Sequence, residues 1–274
     1  GAHTTTSIEA MMWDKRALQS GTSHYFSTNF AKAFEIQFLN KDNTLQFCET
    51  TSWAISSRII GAMIMVHGDD QGLVLPPRLA PIQAVIVPIF KKEDEKAKVM
   101  EVADRIVMEL KAAGIRVKMD DRDNVSSGFK FNDWEMRGVP VRVEIGPKDV
   151  EKGTVALARR DKPGKEGKTF VSQTGLDSAV KGLLDDVQAA LLKRATEYRD
   201  ANIHDPKDYE ELKKVVQDGW AFSYWCESRE CETKVKEEAK ATTRNIPFNQ
   251  PEAEGTCIVC GKPSKRKVYF AKAY

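Results

Sequence analysis

The chain has no long uninterrupted apolar run. No stretch of its 274 residues approaches the ~20 apolar residues that a membrane-spanning helix needs. The first residues carry neither the basic patch nor the apolar core of a secretory signal peptide. With 41% hydrophobic and 30% charged residues, the composition is that of a soluble globular protein. We therefore expect a cytoplasmic protein that does not associate with a membrane.

A large excess of charge of one sign is also missing. The 42 basic and 40 acidic residues leave a formal charge of +2, which by itself does not indicate a nucleic-acid-binding protein. The basic residues are nevertheless unevenly placed, because residues 148–168 are enriched in them and residues 261–274 contain no acid. Such local basic surface suits contacts with phosphate, although a solvated charged face is the commoner explanation of a single run.

Cysteine is scarce, with five residues in the chain, and four of them form two close pairs. Cys226 and Cys231 have the spacing C-x4-C, and Cys257 and Cys260 have the spacing C-x2-C. In a cytosolic chain with little apolar sequence nearby, this pattern favours one tetrahedral Zn²⁺ over disulfides. Four thiolates leave no open position on the metal, so the zinc would be structural. We expect the fifth, Cys48, to be a small buried hydrophobic residue.

The length of the chain indicates two or three domains. Pro76-Pro77 and Ala80-Pro81 form a rigid linker, and near Ala195 the composition becomes more polar and irregular. We predict domains at residues 1–81, 82–194 and 195–274.

The pattern of residues 82–194 predicts a compact α/β domain with five strands and about three helices. Ala84–Ile89 is a continuous apolar run, as in a buried parallel strand, and Glu93–Ala113 is an amphipathic helix. A second strand at Ile115–Met119 completes a βαβ unit. Further strands are predicted around residues 139–145, 155–158 and 169–172, with a short helix capped by Ser126 and Ser127 and a closing helix through residues 179–191.

An arginine stands at an unusual place in residues 51–81. Ile59–Val66 is apolar except for Gly61, which predicts a buried helix, and Arg58 lies at its N-terminal edge. The helix dipole and the free backbone N–H groups disfavour a cation there. A bound phosphate would resolve the conflict; alternatively, Arg58 points to solvent or pairs with a carboxylate.

The segment Gln19–His24, QSGTSH, concentrates small hydrogen-bonding side chains and predicts a tight bend. Such a bend either lines a pocket for a small polar ligand or is a surface turn that caps a helix at Asn29–Phe34. Alternating apolar residues at 34–38 and 45–47, with a polar turn between them, predict an antiparallel hairpin.

Taken together, these segments resemble the prolyl-tRNA synthetase family, of the type with an extra C-terminal domain. The resemblance runs from end to end of the chain and rests on QSGTSH, SSRIIGAMIMVHGDDQGLVLPPRLAPIQ, FKFNDWEMRGVPVRVEIGPKD, the two cysteine pairs and the terminal Tyr274. It implies an α/β and α+β multidomain protein. Its parts would be the C-terminal part of a class II synthetase antiparallel-sheet catalytic domain, a five-stranded mixed α/β anticodon-binding domain and a small C-terminal α+β zinc-type domain.

The resemblance implies ATP-dependent activation of proline, with Mg²⁺ carried by the ATP, and transfer of the proline to tRNA-Pro. SSRIIGAMIM looks like class II motif 3, whose arginine, here Arg58, stacks on adenine and neutralises phosphate. The catalysis would depend on charge and positioning rather than on a protein nucleophile. The implied ATP contacts are Gln19, Thr22, Ser56 and Arg58, and the implied proline contacts are His24, Ser52 and Trp53.

The resemblance also places anticodon contacts at Glu135 and Arg142, with Lys168 as a weaker third candidate. A carboxylate accepts from a guanine N–H edge, and a guanidinium donates to guanine O6 or N7. The alternatives are a helix-surface glutamate and an arginine on the polar face of a strand. The terminal carboxylate of Tyr274 would reach back toward the catalytic site.

The chain departs from the family pattern in two respects. Ala54 stands where motif 3 usually carries glycine after the tryptophan, and the chain begins at a point that resembles the middle of the catalytic domain. Motifs 1 and 2, with the arginine that binds the α-phosphate, have no counterpart. We therefore expect a fragment of a homodimeric enzyme that is inactive alone, or alternatively a non-catalytic tRNA-binding or regulatory protein derived from the later domains.

Overall fold

The structure is a computed structural model that describes residues 1–274. The chain divides into two compact units, one formed by residues 1–66 with 197–274 and the other by residues 67–196. The finer division at residues 81/82 and 194/195 stays a prediction. No helix combines the length and apolarity needed to cross a membrane.

The N-terminal part of the first unit is a three-stranded antiparallel sheet of order β1-β2-β5, with a hairpin and two helices. The predicted helix at Asn29 and the predicted hairpin are both confirmed. The elements are β1 (Thr4–Met11), β2 (Ala17–Ser27), α1 (Asn29–Ala33), β3 (Gln37–Leu39), β4 (Leu45–Phe47), β5 (Thr50–Ile55) and α2 (Arg58–Val66).

The prediction of a tight bend at Gln19–His24 is wrong, because the whole segment lies inside β2. Ile8 pairs with Gly21 and Glu9 pairs with Gln19, so Ser20 is an extra residue that forms a β-bulge. Small polar residues favour turns locally, but β1 and β5 supply backbone partners on both sides of this segment.

The helix predicted at Ile59–Val66 is confirmed, but its predicted burial is wrong. Only Ala62 is buried, whereas Ile60 and Ile64 are 58% and 48% exposed. One flank of α2 packs on Met12 and Leu18. The apolar sequence of α2 indicates that the helix favours apolar neighbours. It does not show that the rest of the chain covers every side of the helix.

The C-terminal part of the first unit is built on a four-stranded sheet of order β13-β14-β18-β15. Its core includes Leu212, Val235 and Phe270, which are fully buried. The elements are β13 (Ile203–His204), α7 (Tyr209–Val215), β14 (Trp220–Tyr224), α8 (Arg229–Ala239), β15 (Thr242–Thr243), β16 (Gly255–Thr256), β17 (Pro263–Ser264) and β18 (Lys267–Ala271).

The end of the chain returns to the first sheet within the same unit. The Ala17 N–H donates to the Lys272 carbonyl at 2.7 Å, and the Tyr274 N–H donates to the Ala17 carbonyl at 3.3 Å. Arg244 donates to the buried carboxylate of Glu9 at 2.8 Å. The C-terminal part is therefore joined to β1 and to the start of β2.

The second unit contains the predicted five-stranded sheet, of order β12-β11-β10-β8-β9. The sheet is mixed, because β8 is parallel to both of its neighbours, β9 and β10, whereas β11 is antiparallel to both of its neighbours, β10 and β12. The elements are β6 (Gly68–Asp69), β7 (Gly72–Leu73), β8 (Ala84–Pro88), α3 (Glu93–Ala112), β9 (Val117–Met119), α4 (Ser127–Met136), β10 (Val141–Ile145), α5 (Pro147–Lys152), β11 (Thr154–Arg159), a 3-10 turn (Lys165–Gly167), β12 (Lys168–Ser172) and α6 (Leu176–Ala201), whose residues from 197 on are counted in the first unit.

The two faces of this sheet are covered unequally. On one face α3, α5 and α6 pack against the strands in the largest core cluster of the chain. On the other face α4 packs over β8, where Trp134 lies against Val85 and Val87. Ser126 caps α4 as predicted, since its hydroxyl accepts from the Phe129 N–H at 3.2 Å.

Candidate nucleic-acid interface and metal centre

Glu135, Arg142 and Lys168 come together on the face of the five-stranded sheet that carries α4. The Arg142 Nη1 donates to the Glu135 carboxylate at 2.7 Å, and its Nε donates to Glu144 at 3.0 Å. The Lys168 Nζ donates to the other oxygen of Glu144 at 2.5 Å. The three residues lie on α4, β10 and β12, so only the folded sheet brings them into one cluster around Glu144.

Sequence reasoning missed Glu144, which is the centre of this cluster. Its side chain is only 5% exposed, and two cations compensate its buried charge. The sequence of β10 could have indicated Glu144. Arg142 and Glu144 alternate there with apolar residues, so both side chains lie on one face of the strand.

Phe131 was also missed, and it fixes the plane of the Arg142 guanidinium. The guanidinium carbon lies 4.1 Å from the centre of the Phe131 ring, a cation–π contact. Arg142 is thus held by an aromatic ring and two carboxylates, and 14% of its side chain remains exposed. A guanidinium held in this way is preorganised to donate to a planar acceptor such as a base edge.

Arg160 fixes the end of α4 that carries Glu135. Its Nε donates to the Glu135 carbonyl at 2.9 Å, and its two Nη atoms donate to the Asp69 carboxylate. The hydrogen bond from Arg160 lowers the pKa of Asp69, so this carboxylate is ionised at neutral pH. The end of β6 therefore supports the Glu135 position through Arg160.

Asp120 anchors the same helix through Lys130 and Trp134. Its carboxylate accepts from the Trp134 Nε1 at 2.7 Å and from Arg122, and its carbonyl accepts from Lys130 at 3.1 Å. Burial alone would raise the pKa of Asp120, but the hydrogen bonds from Arg122 and Trp134 outweigh it and lower the pKa to about 2. The anchor is therefore a buried carboxylate that stays ionised, paired with a partly exposed arginine.

The four paired cysteines form one cluster in the C-terminal part of the first unit. All four Sγ atoms lie within 4.8 Å of one another. The Cys226 Sγ is 3.6 Å from that of Cys231 and 3.7 Å from that of Cys260. Thiolates about 2.3 Å from a tetrahedral Zn²⁺ lie about 3.8 Å apart, whereas disulfide sulfurs lie about 2.05 Å apart. The donor set and its spacing fit a metal ion.

The thiols of this cluster differ in their tendency to ionise. Burial raises the pKa of Cys226 and of Cys231, while a backbone N–H from Lys262 lowers the pKa of Cys260 to about 7. Four adjacent thiolates would repel one another, and a divalent cation among them would favour the ionised form of each.

The residues that the resemblance assigns to ATP and proline lie along β2, β5 and the start of α2. Arg58 is exposed, and its Nη1 donates to the Gln19 carbonyl at 3.2 Å. His24 pairs with Ser52, and Thr22 pairs with Ala54. Paired residues share a face of a sheet, so these four side chains lie on one face.

Trp53 lies on the opposite face of β5 and is 75% exposed. A cleft of about 580 Å³ crosses β1, β2 and β5 on the face that carries Trp53, and Ile8 and Ile55 line it together with Trp53. Ser56 is exposed just before α2. The extra methyl group of Ala54 lies on the other face, with Thr22 and His24.

Tyr274 lies beside the turn that precedes β2. Its hydroxyl donates to Asp14 at 2.6 Å, and the Arg16 guanidinium lies 5.7 Å from its ring. Burial and the hydrogen bond to Asp14 raise the pKa of Tyr274 to about 12. Because the Tyr274 N–H also donates to the Ala17 carbonyl, the terminal residue reaches the strand that carries Gln19.

Two family models match the chain. The model described as "Anticodon binding domain" matches residues 83–185, which contain Glu135, Arg142 and Lys168. The model described as "Prolyl-tRNA synthetase, C-terminal" matches residues 209–274, which contain the cysteine cluster. Over all 274 residues the chain is 53% identical to the proline–tRNA ligase of Roseiflexus castenholzii (strain DSM 13941 / HLO8).

The chain belongs to the prolyl-tRNA synthetase family. It is also 48% identical over 278 residues to a chloroplastic/mitochondrial proline–tRNA ligase of Arabidopsis thaliana, and 44% identical over 282 residues to the proline–tRNA ligase of Deinococcus radiodurans. The whole chain is covered in each comparison, but it spans only 57%, 51% and 56% of these three relatives.

Proposed function

We propose that the chain is the anticodon-binding and C-terminal part of a proline–tRNA ligase, together with part of its ATP and proline site. The observation that carries the proposal is the cluster of Glu135, Arg142 and Lys168 around Glu144. It lies within the segment that the anticodon-binding family model matches. The full-length enzyme, which we expect to be a homodimer, activates proline with ATP and transfers it to tRNA-Pro.

The cluster suits the anticodons that read proline codons. These codons begin with two cytosines, so the anticodons contain two adjacent guanines. The Arg142 guanidinium donates to guanine O6 and N7, and the Glu135 carboxylate accepts from the N–H groups on the opposite edge of a guanine. Lys168 supplies a further cation at the edge of the site, 35% exposed in the structure. RNA binding would exchange the Arg142–Glu135 pair for contacts with bases.

The first unit carries the proposed substrate contacts. Arg58, with Gln19, Thr22 and Ser56, would bind ATP, which carries Mg²⁺ as part of the substrate. His24, Ser52 and Trp53 would bind proline, whose carboxylate attacks the α-phosphorus. These residues would position the reactants and stabilise charge, with no acid or base residue required. The terminal carboxylate of Tyr274 would reach back toward this site.

The four clustered cysteines would hold one structural Zn²⁺. Cys226 follows β14, Cys231 lies in the first turn of α8, and Cys257 and Cys260 lie in one turn after β16. A metal here would join three elements whose own apolar core is small, and it would leave no coordination position for catalysis.

Binding of a tRNA-Pro transcript to the purified chain tests the proposal. We expect binding that weakens as salt rises, and weaker binding to the same transcript with both anticodon guanines replaced by adenines. Arg142→Ala and Glu135→Gln should each weaken binding about 5- to 100-fold and reduce the preference for guanine.

Arg199→Ala provides a matched control, because Arg199 is 55% exposed and pairs only with its neighbour Asp200 in the other unit. Fluorescence anisotropy with labelled transcripts gives the dissociation constants. Equal affinity of the unaltered chain for both transcripts would show that the cluster does not read the anticodon.

A further inference from the structure

Phe170 is a large exposed side chain on β12, the edge strand of the five-stranded sheet. It is 68% exposed, although aromatic residues of a strand usually pack against a neighbour. One exposed phenyl ring needs no explanation by itself. Phe170 differs from other exposed apolar residues in the side chains that share its face of the sheet.

The strand register places Phe170 on the same face of the five-stranded sheet as the candidate anticodon cluster. Phe170 pairs with Ala156, which pairs with Glu144, and Lys168 pairs with Ala158, which pairs with Arg142. Paired residues share a face, so two rows run across the sheet from β10 to β12. Each row has an alanine in the middle.

Two alanines lie between the candidate cluster and Phe170. Ala156 is 2% exposed, and the Lys168 side chain spans β11 to reach Glu144, so this middle part of the face is already covered. The Phe170 ring itself stays open at the edge of the sheet, where a base could stack on it beside Lys168. The Lys168 Nζ lies 5.8 Å from the centre of that ring, so a cation borders the same position.

A cation next to an open aromatic ring is the pairing that proteins use for unpaired nucleotides. The base stacks on the ring, which is tolerant of base identity, and the cation contacts the backbone. β10 and β12 are two strand spacings apart, about 10 Å, which corresponds to about three stacked nucleotides. Phe170 and Arg142 are thus within reach of neighbouring bases of one loop.

We propose that Phe170 is a stacking platform for an unpaired base of the RNA loop whose neighbouring bases are read by Glu135 and Arg142. The proposal rests on the proposed function, because it takes the RNA to be held at that cluster. It adds to the site a contact that depends on the aromatic ring but not on the identity of the stacked base.

The test uses the whole chain and a synthetic hairpin with the proline anticodon loop, in which 2-aminopurine replaces each unpaired loop base in turn. We expect Phe170→Ala to weaken binding about tenfold and to remove the fluorescence change of one loop position. The slope of log Kd against log salt should stay unchanged, because stacking releases no counterions, whereas Lys168→Ala should reduce it by about one.

Three further variants separate stacking from other effects. Phe170→Trp should bind at least as well as the unaltered chain, and Phe170→Leu should bind as weakly as Phe170→Ala. Phe248→Ala is the matched control, since Phe248 is 92% exposed in the other unit and should change nothing. Unchanged circular dichroism of each variant confirms folding.

Two outcomes would overturn the stacking role while leaving the proposed function intact. One is binding of the hairpin by Phe170→Ala with unaltered affinity. The other is full recovery of affinity by Phe170→Leu, which would indicate apolar packing rather than stacking. If the unaltered chain binds the hairpin no better than one with a changed anticodon, the proposed function fails instead.

Discussion

Buried charged side chains with specific partners set the position of the candidate anticodon site. Glu144 holds Arg142 and Lys168 together, and Asp120 holds the helix that carries Glu135. The family resemblance located Glu135, Arg142 and Lys168 in the sequence. It did not identify Glu144 or Asp120, because a buried carboxylate is recognisable only when its partners from other elements are known.

Asp120 should make the stability of the second unit depend on pH in the acid range. Its pKa is about 2 in the folded protein and about 3.9 in an unfolded chain, so ionised Asp120 favours the folded state above pH 4. That contribution, about 2 kcal/mol, is lost as the pH falls through 2. Asp120→Asn should be less stable at pH 7, and it should lose less stability than the unaltered chain between pH 4 and 2.

Urea unfolding followed by tryptophan fluorescence across this pH range measures the effect. Asp123→Asn is the matched control, because its side chain is 71% exposed and lies 3.8 Å from Lys96. An Asp120→Asn curve parallel to that of the unaltered chain at every pH would refute the assignment.

Among the elements, those with a local and continuous pattern were predicted well. The apolar run of β8, the amphipathic periodicity of α3 and the Ser126 cap of α4 gave the βαβ unit and the mixed sheet. The segment Gln19–His24 was misjudged because neighbouring strands decide whether small polar residues form a turn or a strand. The cysteine pairs were found from spacing, yet their approach to within 4.8 Å depends on the fold.

Removal of the proposed metal should destabilise the C-terminal part of the first unit. The purified chain should bind one Zn²⁺, and Cys231→Ala or a strong chelator should abolish binding and lower the melting temperature of that part. Cys48→Ala is the control, since Cys48 lies outside the cluster. Native mass spectrometry counts the metal; a chain with no metal and two disulfides would contradict the proposal.

At the scale of the whole molecule, the first unit leaves much apolar surface in contact with water. Ile8, Trp53 and Ile55 on the three-stranded sheet are 62%, 75% and 63% exposed. Arg58 is exposed as well, so any ATP bound there would remain largely hydrated. Charge stabilisation is weak in such an open site, because water screens it.

We therefore expect no proline-dependent ATP–pyrophosphate exchange by this chain alone, although it should bind tRNA. The full-length proline–tRNA ligase of Roseiflexus castenholzii, assayed in parallel, is a suitable positive control. Robust exchange by the purified chain would refute this expectation and would show that these residues suffice for adenylation.

The sequence by itself determined the family, the α/β character of the second unit and the residue types available for nucleotide, tRNA and metal. These follow from contiguous motifs, local periodicity and close cysteine spacing, all of which are short-range properties. The tertiary structure decided which side chains meet: Arg142 and Lys168 on Glu144, Phe170 on the same face, and Trp53 on the face opposite to His24. Strand register sets these relations, and register arises from pairing between segments far apart in the chain.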